Sequence, residues 1–206
     1  MGETVWRGRT MDDRAAERRR QFLDVCLDAV ALGGAASVTL RGICRSAKLS
    51  PRYLYESFSG REELLTATYD HVEAGLLERL VQAGQGSRAL SIRTVLETCA
   101  EYFDEDPRRA RILLREPMSD DTLRAHQSGK APVFIASLIP ALDSTDTRDA
   151  PRDPQELGVV AAALSGALVS LYLEWLDGRL DIDRDTLADS ATRLVTAIAR
   201  ASRRPR

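Results

Sequence analysis

The chain has 206 residues, enough for one or two compact domains with a sizeable core. Hydrophobic residues make up 44% and charged ones 29%, a balance that excludes a disordered chain. The formal charge of −2 hides an asymmetry: residues 1–62 hold 11 Lys and Arg against 8 Asp and Glu, net +3, while the remainder holds 18 against 23, net −5.

Residues 1–12 carry no apolar run of the kind that marks a secretory signal, and Trp6 stands where a myristoylation signal needs Ser or Thr. They read as a flexible tail. A first helix is predicted from near Asp13 to the Gly33-Gly34 pair, with Phe22, Val25, Cys26, Ala29 and Val30 on its inner stripe. Arg18, Arg19 and Arg20 crowd its first turns, where positive charge opposes the helix dipole unless solvent or a nearby polyanion accommodates it. Thr39 reads as the N-cap of a second helix, Leu40 to Ala47. Ser50-Pro51 starts a third, which runs to about Phe58, with Pro at the first helical position where its missing N–H costs nothing. Ser59 and Glu62 have capping-box spacing and open a fourth helix through about Val81. Ala83 to Ser87 is a linker that lacks the Lys-Ser/Thr ending and the preceding strand of a phosphate loop.

Beyond the linker the periodicity stays helical, over roughly 89–103, 107–115, 119–142, 155–176 and 184–202. Gly129 and Pro132 interrupt the third of these, and Asp143 to Pro154 reads as a mobile loop. The most apolar stretch, Leu157 to Leu173, is short for a membrane span and contains Ser165, Gly166 and Ser170, so it reads as a buried helix. Cys26, Cys44 and Cys99 are odd in number and far apart, as expected of reduced thiols in a cytoplasmic protein. The two histidines, His71 and His126, have no i,i+4 partner, and no nucleophile elbow is present. No metal, cofactor or enzymatic activity is expected.

Two short helices joined by Lys48-Leu49 form a helix-turn-helix pattern. Leu40, Ile43, Ala47, Leu49, Leu54 and Phe58 are spaced to pack together, which leaves Ser50, Pro51, Arg52, Tyr53 and Glu56 on the outside of the second helix. A helix with an apolar back and polar donors at its leading end suits a DNA major groove, where base edges are distinguishable.

The run from Thr39 to Leu65, TLRGICRSAKLSPRYLYESFSGREELL, resembles the DNA-binding region of the TetR family of bacterial transcriptional regulators. The shared features are the hydrophobic-Thr start, Ala-x-hydrophobic-Ser at the turn, Leu-Tyr-x-x-Phe in the recognition helix, and a basic residue before Glu-x-Leu-Leu. The resemblance covers about residues 15–70. It implies an all-α fold, with a three-helix DNA-binding domain over 13–62 and a helical ligand-binding and dimerisation domain over 63–206. It also implies that Thr39, Tyr55 and Arg61 bind phosphates and that Arg41, Arg52 and Tyr53 reach bases, with Ser50 and Pro51 at the mouth of the groove. Glu56 reads as a solvated surface residue, and Arg7 and Arg9 as an idle tail rather than a minor-groove arm. Three positions depart from the family pattern: Lys48 where Gly is usual, Arg61 where Lys is usual, and Gly42 where Asp or Glu is usual.

The implied function is a DNA-binding repressor, homodimeric and released by a small effector. The alternative is a helical ligand-binding or enzymatic protein whose N-terminal hairpin does not touch DNA. The helix of 155–176 is apolar on nearly every face and so needs cover from its own domain and from something else. With the last helix it offers Leu164, Leu168, Leu171, Leu187, Leu194 and Ile198 to a two-fold interface. Tyr102, Phe103, Met118, Phe134, Tyr172 and Trp175 supply aromatic and pliable surface for a mainly apolar or aromatic effector, unless Glu97, Glu101 or Glu174 turns inward to meet a cation.

Overall fold

A computed structural model describes residues 11–85, 91–128, 130 and 154–201. Among these residues every regular element is helical: α1 (Met11–Gly33), α2 (Leu40–Ala47), α3 (Pro51–Ser57), α4 (Arg61–Gly84), α5 (Ile92–Glu105), α6 (Pro107–Ala110), α7 (Asp121–Ser128), α8 (Pro154–Leu176) and α9 (Arg184–Ala201). The chain divides into two compact units between His71 and Val72. This lies nine residues beyond the expected boundary, because the first turns of α4 bury Leu64, Leu65 and Thr68 as completely as any residue of α1.

In the first unit, Phe22, Cys26 and Val30 form one stripe of α1, and Ile43, Ala47, Leu54 and Phe58 come from α2, α3 and the C-cap of α3. All are at most 2% exposed, and the rings of Phe22 and Phe58 meet edge to face at 6.3 Å. The turn between α2 and α3 closes as a Schellman motif: the Lys48 N–H donates to the Arg45 carbonyl and the Leu49 N–H to the Cys44 carbonyl. That geometry puts Lys48 in the left-handed region, φ 54°, ψ 33°.

In the second unit, Leu187, Ala188, Ala191 and Val195 on α9 are buried, as are Val95, Leu96, Cys99 and Ala100 on α5, the helix α9 packs against. The single helix expected over 107–115 is instead α6 followed by a π turn, Arg111–Arg115, and a 3-10 turn, Glu116–Met118. Pro117 explains the change. It has no N–H to continue the ladder, and the Leu113 carbonyl accepts from the Gln127 side-chain amide instead. The helix predicted over 119–142 is described only as α7, and residues 131–142, Phe134 included, lie outside the described residues. α8 holds an apolar window, Gly158–Leu176, long enough to cross a membrane, but only 28% of it is buried within the chain.

A left-handed non-glycine residue is strained by contact between its Cβ and the following carbonyl, a cost of about 1 kcal/mol. Lys48→Gly is therefore expected to raise the unfolding free energy by about 1 kcal/mol in urea titrations without changing the m-value.

Candidate nucleic-acid interface

The outward side of the helix-turn-helix is set by what α1 does behind it. The Gln21 amide donates to the Ala47 carbonyl at 2.9 Å, and an Arg19 Nη donates to the Ser57 carbonyl at 2.6 Å. Each bond satisfies an orphan carbonyl at the end of a short helix. The Arg19 guanidinium also lies 4.3 Å from the centroid of the Phe58 ring. α2 and α3 are thus pinned from the same helix, with Arg41, Ser50, Pro51, Arg52, Tyr53, Tyr55 and Glu56 exposed.

Thr39 caps α2 as expected, its hydroxyl accepting from the Gly42 N–H at 3.2 Å. A Cβ at residue 42 would lie 2.8 Å from that oxygen, so the glycine makes room for the cap. Ser50 occupies the N-cap position of α3 in extended backbone, with no side-chain cap bond. Tyr55 is 61% exposed and stands clear of the core. Arg52 Nε is 2.9 Å from the Glu56 carboxylate, so Glu56 is an ion-pair partner rather than a merely solvated side chain. With 84% of the Arg52 side chain and 46% of the Glu56 side chain exposed, the pair is screened by solvent and opens at small cost.

Two of the residues expected at DNA also have partners within the chain. The Arg61 guanidinium, assigned to phosphate, donates to the Ala35 and Val38 carbonyls at 2.7 and 3.1 Å, and so braces the turn that precedes Thr39. Tyr53, assigned to bases, has one ring face covered by Arg18, whose guanidinium carbon is 4.4 Å from the ring centroid. The capping partner of Ser59 is Glu63, not Glu62, with the carboxylate 2.7 Å from the Ser59 nitrogen. Helix α4 starts one residue later than the spacing implied, which moves the reciprocal position along. Hydrogen bonds from the Ser59 hydroxyl and N–H hold the Glu63 carboxyl below its ordinary range.

In the second unit the aromatic residues are chiefly core. Phe103 lies between Tyr102 and Tyr172, with centroids at 6.0 and 5.7 Å and edge-to-face geometry. The Tyr172 hydroxyl donates to the Leu96 carbonyl, the Tyr102 hydroxyl to the Val72 carbonyl, and the Trp175 indole to the Ile182 carbonyl. Burial pushes both phenols up, Tyr172 furthest. Met118 is 66% exposed and turned outward from the 3-10 turn, so it does not line an interior site. Glu97, Glu101 and Glu174 pair with Arg93, Arg184 and Arg179 at the surface and do not turn inward. Leu164 and Leu187 are at most 2% exposed inside the chain's own core and leave no area for a partner, while Leu168, Leu171, Leu194 and Ile198 are half-buried. All three thiols are buried, and desolvation raises Cys26 to about 11 and Cys99 to about 12, which keeps them protonated and unreactive.

The fold has counterparts among solved structures. A TetR-like transcriptional regulator from Rhodococcus sp. RHA1 superimposes with a TM-score of 0.62 at 23% identity, covering 89% of this chain and 94% of that one. The chain has the TetR-like fold. A TetR-family regulator from Streptomyces coelicolor matches with a TM-score of 0.66 at 23% identity, over 91% of this chain and 82% of that one. The transcriptional regulator FadR from Bacillus subtilis, in complex with stearoyl-CoA, matches with a TM-score of 0.65 at 13% identity, over 86% and 97%. No family model and no curated protein sequence matches the chain.

Within this TetR-like chain, the Tyr102–Val72 bond exists because residue 75 has no side chain: a Cβ there would lie 2.6 Å from the Tyr102 hydroxyl oxygen but 3.5 Å from the ring carbon that bears it. Gly75→Ala is therefore expected to destabilise the wild type and to become stabilising in a Tyr102→Phe background, where the helix propensity of Ala, up to about 1 kcal/mol, is no longer offset by a clash. A double-mutant cycle by urea unfolding measures the sign change.

Proposed function

We propose that the protein is a cytoplasmic transcriptional regulator, a repressor that binds a near-palindromic operator as a homodimer and is released by a small effector. The observation that carries this reading is the amphipathic division of α3: Leu54 is fully buried, whereas Ser50 to Tyr53, Tyr55 and Glu56 form an exposed polar front. That front suits a major groove, with Arg52 able to exchange the Glu56 carboxylate for the O6 and N7 acceptors of a guanine. Thr39 and Tyr55 would supply phosphate contacts on either side, and Arg41 a second base contact. The net charge of +3 over residues 1–62 favours a polyanionic partner. The TetR-like fold supports the same assignment.

The second unit is the proposed sensor and dimerisation part. Val159, Ala162, Ala163, Gly166 and Ser170 recur along one exposed side of α8, and Leu168, Leu171, Leu194 and Ile198 are only half-buried. An apolar side of that kind calls for cover, and a second copy related by a two-fold axis supplies it. Two recognition helices about 34–36 Å apart would then read successive major grooves. An apolar or aromatic effector near Phe103, Tyr172 and Trp175 releases DNA to the extent that it favours a different spacing. A protein of the same fold, FadR, holds stearoyl-CoA, in keeping with an apolar effector.

Two measurements test this reading. Retardation of DNA from upstream of the gene is expected to be fragment-specific and to weaken steeply with salt, with Arg52→Ala relaxing the base preference and Tyr55→Phe weakening all sites alike; equal, feeble binding to every fragment would favour a helical protein that does not read DNA. Val159→Asp is expected to shift the sedimentation mass from two chains to one with helicity unchanged. A wild type that sediments as one chain removes the dimer from the proposal.

A further inference from the structure

Arg18, Arg19 and Arg20 are neighbours in sequence and are put to different uses. Arg19 turns inward to the Ser57 carbonyl and the Phe58 ring. Arg20 is exposed. Arg18 reaches over the Tyr53 ring, its guanidinium carbon 4.4 Å from the ring centroid. The supporting ring belongs to the third residue of α3 and is 38% exposed, while its neighbour Leu54 is fully buried. Arg18 therefore stands beside the leading turn of α3, at the rim of the exposed front.

How an arginine is held decides what it offers a second partner. A ring holds a guanidinium without neutralising its charge, so the cation can still offer N–H donors to phosphate oxygens. Arg52 is held by a carboxylate and has to give up one anion to take another. Arg18 is held by a ring, and among the described residues no carboxylate pairs with it. A polyanion seated on the front of α3 meets a cation already oriented for it.

We propose that Arg18 is a phosphate-binding residue of the DNA interface, set in place by the ring of Tyr53, so that the interface extends from α2 and α3 onto α1. The proposal rests on the DNA-binding reading above. It gives Tyr53 the part of a positioning residue.

The experiment uses the full-length protein and a fluorescein-labelled duplex that the wild type enriches from a randomised pool, titrated over a series of KCl concentrations. Arg18→Ala is expected to raise Kd several-fold, to lower the slope of log K against log salt by about 0.9, the amount for one phosphate contact, and to leave the preferred sequence unchanged. Arg20→Ala keeps the wild-type slope. In a Tyr53→Leu background the effect of Arg18→Ala shrinks. A wild-type slope in Arg18→Ala, an equal fall in Arg20→Ala, or an undiminished effect in the Tyr53→Leu background overturns the assignment while DNA binding stands. Failure of the wild type to enrich any duplex overturns the DNA reading and this proposal with it.

Discussion

Neither helix of the helix-turn-helix is long enough to persist in water by itself. α2 has eight residues and α3 seven, well short of the roughly 12–15 at which isolated helices become marginal. Their order comes from α1, which offers three kinds of restraint from consecutive turns. Phe22, Cys26 and Val30 give the apolar surface against which both short helices fold. Gln21 and Arg19 give hydrogen bonds to the last carbonyls of α2 and α3, each worth about 1 kcal/mol net and more where the donor is charged. The guanidinium groups of Arg18 and Arg19 lie over the rings of Tyr53, in α3, and Phe58, just after it, and oppose rotation of α3 about its axis. The exposed front of α3 is therefore a consequence of its back. A recognition surface needs side chains held to within a fraction of an ångström, and a helix of two turns acquires that precision only from its neighbour.

Local features were the legible ones. The start of α3 was readable because Ser50-Pro51 acts through its own backbone, and the strained turn was readable because Lys48 stands where the resemblance places glycine. The shift of the capping partner to Glu63 shows the usual limit of such reading, an error of one residue at a helix end. Long-range partners were not legible. The charge of Arg61 is evident in the sequence, but its acceptors, the carbonyls of Ala35 and Val38, lie 26 and 23 residues away and carry no sequence mark. The π turn depends on Pro117 and Gln127 together, and only the proline announces itself. The boundary between the units was misplaced because α4 is periodic throughout, and nothing in a helical pattern says which body its first turns pack with.

Hydrophobicity likewise reported that α8 needs cover without saying from where. Leu164 and Tyr172 are taken up by the chain's own core, whereas Val159 is 71% exposed on the same helix. The residues on the bare side are small: Ala162, Ala163, Gly166 and Ser170. Small side chains lose little entropy on burial and let another backbone approach closely, so a side of this composition gains more from close helix packing than from large side-chain contacts. Of the leucines proposed for the interface, Leu168 lies on the stripe of Leu164 and Tyr172, opposite the bare side. Hydrophobicity singles out the leucines of this helix, whereas the side it leaves exposed is made of small residues.

Two glycines inside helices make the same point about scale. Helix propensity counts Gly42 and Gly75 as defects, each costing up to about 1 kcal/mol relative to Ala. In both cases a hydroxyl occupies the space a Cβ would take: Thr39 Oγ1 at 2.8 Å from the Cβ position of residue 42, and the Tyr102 hydroxyl at 2.6 Å from that of residue 75. The first hydroxyl is three residues away and caps the helix that contains the glycine, so the cap itself accounts for the glycine. The second is 27 residues away on α5 and reaches a carbonyl, Val72, within α4. A helix carbonyl can accept a second donor only where the surface beside it is low enough for the donor to arrive. Gly75 lowers that surface, and the contact between α4 and α5 is fixed at one point along both helices. An alanine would favour α4 taken alone, and the glycine favours the pair.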